Sequence, residues 1–116
     1  MKHTVLIVED EEDLRETMRE ALEANGYTVV TAAEGQAGLD RIAEIDWLCL
    51  VLLDLVMPGM NGWDFFAQVR QRPDLADVPV IVYSSAPQSA PAGVTRVLRK
   101  PVPFERLLST VREFCG

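Results

Sequence analysis

Thr4 to Glu9 is a short aliphatic, β-branched run, and the apolar residues after it, Leu14, Met18, Ala21 and Leu22, recur on one face of a helix. Asn25-Gly26 closes that helix. Thr28 to Ala32 reads as a second strand, Gly35 to about Glu44 as a second helix with Leu39, Ile42 and Ala43 inward, and Trp47 to Leu53 as a third strand. This third strand is apolar almost without alternation, as expected where helices cover both faces of a parallel sheet. Trp63 to Arg72 reads as a third helix, packed through Phe66 and Val69 with Trp63 beside them and ended by Pro73. Val78 to Tyr83 and Arg96 to Arg99 are the fourth and fifth strands, and Phe104 to Phe114 is a closing helix. On or near its buried face lie Phe104, Leu107, Leu108, Val111 and Phe114. There is no internal repeat and no linker. Strands alternating with helices predict an α/β fold with a parallel sheet and right-handed crossovers, in which function collects at the carboxyl ends of the strands.

The 116 residues, 48% of them hydrophobic and 25% charged, fit a single domain over 1–116. A net charge of −7 argues against gripping nucleic acid or anionic lipid, so the expected partners are proteins. Val5 to Val8 is too short for a signal-peptide core or a membrane span, and no later run reaches membrane length, so no membrane insertion and a cytoplasmic location are expected. Cys49, inside an apolar strand, and Cys115, beside the terminus, fit no metal or redox spacing and read as two unpaired thiols. His3 has no partner in view, and Trp47 and Trp63 read as packing residues.

The strand ends carry the chemistry. Strand one ends at Glu9-Asp10, strand three at Asp54, strand four at Ser84-Ser85 and strand five at Lys100-Pro101, which brings three acids, a hydroxyl and an ammonium to one edge. The acids are hard oxygen ligands of the kind that suit Mg²⁺. Lys100 and Ser84 are the donors a phosphoryl group requires as charge spreads over its oxygens. Taken singly, each has a plainer reading. Acids after a strand favour a helix N-terminus, which accounts for Glu12 and Asp13, while Ser84 alone would be a turn residue and Lys100 a solvated charge. Their convergence on Asp54 reverses that.

"VLIVEDEED", "LLDLVMPGMNG", "VPVIVYSS" and "RKP" stand in the order and approximate spacing of the receiver domain of two-component response regulators, which the chain resembles over essentially its whole length. The resemblance implies a flavodoxin-like five-stranded sheet of order 2-1-3-4-5. It implies that Asp54 accepts a phosphoryl group from a histidine kinase or histidine phosphotransfer protein. Asp10 then matches a direct Mg²⁺ ligand, Glu9 a more indirect one and the Val56 carbonyl a third, beside Asp54 itself. Ser84 and Lys100 match the groups that meet the phosphoryl oxygens, and Pro101 a proline usually preceded by a cis bond. The expected function is a signalling switch that catalyses only its own phosphorylation and dephosphorylation and acts on a downstream effector protein.

Rival readings are weaker. A haloacid-dehalogenase-like phosphatase needs a second acid where this chain has Val56, and a flavodoxin needs a phosphate loop where it has "EDEED". A receiver-like docking module that is never phosphorylated remains the alternative. Departures from the family pattern lie away from the chemistry. "SSAPQSAPAGVTR" is shorter than usual by roughly one to two helical turns and carries Pro87 and Pro91, so the fourth helix should be short or irregular. Val97 stands where a switching aromatic is common, which points to the loop from Ala86 to Val94 as the mobile output element. The chain stops after its closing helix, the pattern of a stand-alone receiver.

Overall fold

The computed structural model describes residues 4–57 and 59–116; His3 and Pro58 of the reading above lie outside them. Five strands, β1 (Thr4–Val8), β2 (Thr28–Ala32), β3 (Leu48–Asp54), β4 (Val80–Ser84) and β5 (Arg96–Arg99), form one sheet of order β2-β1-β3-β4-β5. Every pairing in it is parallel. Among the described residues three α-helices connect strands, α1 (Glu12–Ala24), α2 (Gly35–Ile42) and α3 (Gly62–Gln71), and a fourth, α4 (Phe104–Cys115), follows β5. This is the flavodoxin-like order.

Alternate residues of each strand enter opposite layers. Leu6, Val8, Val51, Leu53, Val80 and Val82 pack under α2 and α3 with Leu39, Ile42, Phe65, Phe66 and Val69. Val5, Ile7, Leu50, Leu52, Ile81 and Leu98 pack under α1 and α4 with Met18, Leu22, Leu107, Leu108 and Val111. Because both faces are covered, β1 and β4 are buried along their entire length.

Several boundaries move for local reasons. α2 ends at Ile42, two residues early, because the Glu44 and Ile45 amides turn back to the carbonyls of Arg41 and Ile42. β4 begins at Val80: Pro79 has no N–H to give, and the Val78 amide closes a turn onto Leu75. Phe65, which the sequence reading passed over, is fully buried, whereas Phe104 is 38% exposed in the first turn of α4. Trp47, expected to pack, is 61% exposed. In place of a helix between β4 and β5 there is a single 3-10 turn, Pro87–Ser89, as the two prolines predicted.

The cysteine expectation is overturned. Cys49 on β3 and Cys115 at the end of α4 form a disulfide across 66 residues, with Cα atoms 5.6 Å apart. Val111 and Cys115 are one turn apart on the buried face of α4, so the packing that seats Val111 also delivers Cys115 to the amino-terminal end of β3. Nothing in the local spacing of either cysteine announces a contact made by tertiary packing.

Candidate functional site

The same alternation that divides the core builds the site. Val5-Ile7-Glu9, Leu50-Leu52-Asp54, Ile81-Tyr83 and Leu98-Lys100 each continue one face of the sheet past its apolar layer. β1 and β3 align Val8 with Leu53, which sets Glu9 level with Asp54, and β3 and β4 align Asp54 with Tyr83. Two carboxylates and a phenol thus stand side by side on the α1/α4 face. Carboxylate oxygens of Glu9, Asp10 and Asp54 lie within 4.8 Å of one another. Glu9 is 1% and Asp54 6% exposed, while Asp10 is open to solvent.

Each charge has specific partners. Lys100 Nζ is 3.3 Å from Asp54 Oδ1 and 3.5 Å from Glu9 Oε1. The Glu11 amide donates to Glu9 Oε2 at 3.0 Å, and the Tyr83 hydroxyl donates to Glu9 Oε1 at 2.9 Å. The Arg15 guanidinium donates to the Glu9 carbonyl oxygen at 2.9 Å, which ties the first turn of α1 to the end of β1. Burial, and then the negative charge of Glu9, push the Asp54 carboxyl up to about 6; Lys100 opposes them and does not fully compensate. The Tyr83 phenol is pushed far above its ordinary range by burial and by Glu9, and so remains a donor.

Ser84 projects on the other face, where it is buried. Its Oγ accepts from the Ala86 amide at 3.0 Å, and the Lys100 amide donates to its carbonyl oxygen at 2.9 Å. The hydroxyl is thereby bonded to the first residue of the short loop, and the backbone of Lys100 to the end of β4. The Lys100-Pro101 peptide is cis, matching the resemblance. Val56, two residues beyond Asp54, turns its side chain to solvent with 70% of it exposed.

The turn after Asp54 explains the glycines that follow. Gly59 adopts φ +68°, a left-handed conformation that favours glycine. A Cβ on Gly62 would stand 2.6 Å from the Asp54 carbonyl oxygen and from Leu55 Cα, so α3 can start here only without a side chain. Asn61 caps that start by accepting the Asp64 amide at 2.9 Å. Beside the acids, an apolar cleft of about 440 Å³ opens between α1 and the β5–α4 connection, lined by Leu14, Met18 and Leu107 and reaching Lys100.

The structure brings together Glu9, Asp10, Asp54 and Lys100, with Ser84 at the neighbouring strand end. Tyr83 was missed. The signal was present: it shares strand parity with Ile81, hence the acid face, and stands one residue before Ser84.

Comparisons with known proteins bear on family and fold. The model of the response regulator receiver domain matches residues 5–112. The response regulator MprA of Mycolicibacterium vanbaalenii is 34% identical over 114 residues, covering 93% of this chain and 48% of that protein. The chain spans about half the length of the curated relatives it matches. A putative response regulator from Chloroflexus aurantiacus superposes with a TM-score of 0.89 at 28% identity, covering 99% of this chain and 98% of the other. The response regulator TrrA of Thermotoga maritima, solved in complex with Mg²⁺-BeF, superposes at 0.82 with 24% identity over 98% of this chain and 99% of its own, a likeness of fold. With its sheet order, its acids at two strand ends and a family match over nearly every residue, the chain belongs to the receiver domains of response regulators, the family of two-component signalling.

Proposed function

We propose that this receiver takes a phosphoryl group on Asp54 from a phosphohistidine of a sensor kinase or phosphotransfer protein. The observation that carries the reading is one buried carboxylate placed within 3.3 Å of an ammonium and within 4.8 Å of two further acids. An Asp54 carboxylate oxygen attacks phosphorus, the phosphorus–nitrogen bond breaks, and the imidazole departs with the bonding pair. Lys100 follows the negative charge from the carboxylate to the phosphoryl oxygens, and the Ser84 hydroxyl approaches from the other side.

The donor set fits Mg²⁺: Asp10 is solvent-facing and free to take a hydrated ion directly, Glu9 is buried and held behind it, and the Val56 carbonyl is the third proposed ligand. When bound, the ion neutralises the acids and the phosphoryl charge.

Ser84 links the chemistry to an output. Its hydroxyl accepts the Ala86 amide, so a shift of Ser84 toward a phosphoryl oxygen pulls on that bond, and Ala86 begins the 86–94 loop. That loop is held at its middle by the Trp63 indole donating to the Ser89 carbonyl oxygen at 2.8 Å. Phosphorylation therefore changes the order of the loop, which an effector protein reads; Val97 is too small to act as a rotating aromatic. We place the protein in the cytoplasm.

The test is mass spectrometry after incubation with acetyl phosphate. The chain should gain one base-labile phosphoryl group, on Asp54, only with a divalent cation present, and Asp54→Asn should gain none. Equal modification of that variant would place the acceptor at another residue, and no modification of the unaltered chain would favour the docking-module reading.

A further inference from the structure

We propose that Tyr83 is a positioning residue that keeps the metal-side acid and the phosphoryl-side ammonium on separate tasks. It touches both halves of the site. Its hydroxyl donates to Glu9 Oε1 at 2.9 Å, and its ring lies under Lys100, 5.0 Å from the ammonium to the ring centroid. This inference rests on the reading of Glu9 as part of a Mg²⁺ site and of Lys100 as the phosphoryl partner.

The donors that satisfy Glu9 divide the two tasks. The carboxylate is almost wholly out of water, so each oxygen must find donors within the protein. Oε2 has the Glu11 amide; Oε1 has the Tyr83 hydroxyl and, more distantly, Lys100 at 3.5 Å. A phenol supplies a hydrogen bond without a positive charge, so Glu9 stays negative toward a cation. Remove the hydroxyl, and Lys100 becomes the one side-chain donor to Oε1. The ammonium is then drawn off Asp54 and onto Glu9, which neutralises an acid on the metal side and takes a cation from the phosphoryl side.

The ring contributes the opposite restraint. Tyr83 is 2% exposed and wedged in the α1/α4 layer, so its face is a fixed platform for the ammonium. A rigid aromatic with two side-chain torsions sets the hydroxyl and the platform at a constant separation. No aliphatic residue at this position provides either contact.

Tyr83→Phe separates them, since it keeps the ring and removes the hydroxyl. By calorimetric titration its Mg²⁺ affinity should fall about tenfold, the size typical when a partner of a metal-binding side chain is lost. With acetyl phosphate, the Mg²⁺ concentration giving half the maximal phosphorylation rate should rise about tenfold, while the rate at saturating Mg²⁺ stays within about threefold. Adding Tyr83→Phe to Glu9→Gln should weaken Mg²⁺ no further than Glu9→Gln alone. Tyr83→Leu should lose maximal rate as well. Unchanged Mg²⁺ affinity in Tyr83→Phe, effects that add to those of Glu9→Gln, or a loss of maximal rate and melting temperature with no shift in half-saturating Mg²⁺ would each overturn the role. Asp10→Asn in the same titration separates the two levels. If it too keeps wild-type affinity, the metal site is misassigned; if it loses Mg²⁺ while Tyr83→Phe does not, only the positioning role falls.

Discussion

The two ends of the sheet are built on opposite terms. At the carboxyl end, Glu9 and Asp54 are buried side by side with one ammonium between them, and the elevated Asp54 carboxyl shows that the fold holds this charge at a cost. At the amino end of β3, Cys49 is bonded to the last residue of α4, next to the layer of Leu50, Leu108 and Val111. One end gathers like charges where a ligand is proposed to bind; the other ties the last helix to a central strand and carries none of the proposed chemistry. The charged edge and the covalent tie thus stand at opposite ends of the same strand.

The largest expected effect comes from opening the amino end. A bond closing a 66-residue loop is worth about 2–4 kcal/mol, so reduction with a dithiol, or Cys115→Ser, should lower the unfolding free energy measured by denaturant titration by that amount while leaving Mg²⁺ affinity unchanged. A parallel loss of Mg²⁺ binding would show that the two ends are coupled.

Gly62→Ala sharpens the contrast from below the site. Its methyl group would press on the Asp54 carbonyl and the Leu55 backbone, neither of which can turn aside, so about 1–3 kcal/mol of stability should be lost. Here, unlike at the cysteines, phosphorylation should slow in step, because the displaced strand end carries the proposed nucleophile. Normal phosphorylation in a destabilised Gly62→Ala would mean that the turn is only structural.

The smallest effect has the opposite sign. Asp54→Asn should stabilise the metal-free protein by about 1–2 kcal/mol at neutral pH by removing a buried charge that Glu9 repels. Because the folded carboxyl titrates near 6 rather than at its ordinary 3.8, the native state holds a proton that the unfolded chain releases between those values, and the wild type loses stability as pH rises through that window. The gain should therefore vanish below about pH 4 and level off above about pH 6. Thermal melts across that range measure it; a variant less stable at pH 7 would sink the idea that the edge is held at a cost.

Most of the architecture was legible because strand and helix periods are local. Thr28–Ala32 and Arg96–Arg99 were bounded correctly from β-branched content and turn residues, and two prolines within five residues announced the loss of a helix before β5. The strand-end acids, the hydroxyl and the lysine were legible because a parallel sheet collects such ends in one place. What escaped was set by side-chain reach and tertiary packing. Phe65 is buried because α3 presses it against α2, where a Cβ on Gly38 would lie 2.8 Å from its ring. Cys49 and Cys115 meet only after α4 docks. Tyr83 looked like one more aromatic in a buried strand until the register set its row beside Glu9.

The hydrogen bond from the Trp63 indole to the Ser89 carbonyl gives the molecule its own optical channel. The two tryptophans sit in contrasting surroundings: Trp47 is largely in water near the start of β3, whereas Trp63 is half-buried with its N–H committed to the short loop. Indole emission follows local polarity and quencher access, so the first provides a constant, readily quenched background and the second a colour that depends on where the loop lies. In a Trp47→Phe background the remaining indole fluorescence comes from the one indole that touches the loop, so the proposed response of the loop to Asp54 would be read in real time as light, without attaching a dye.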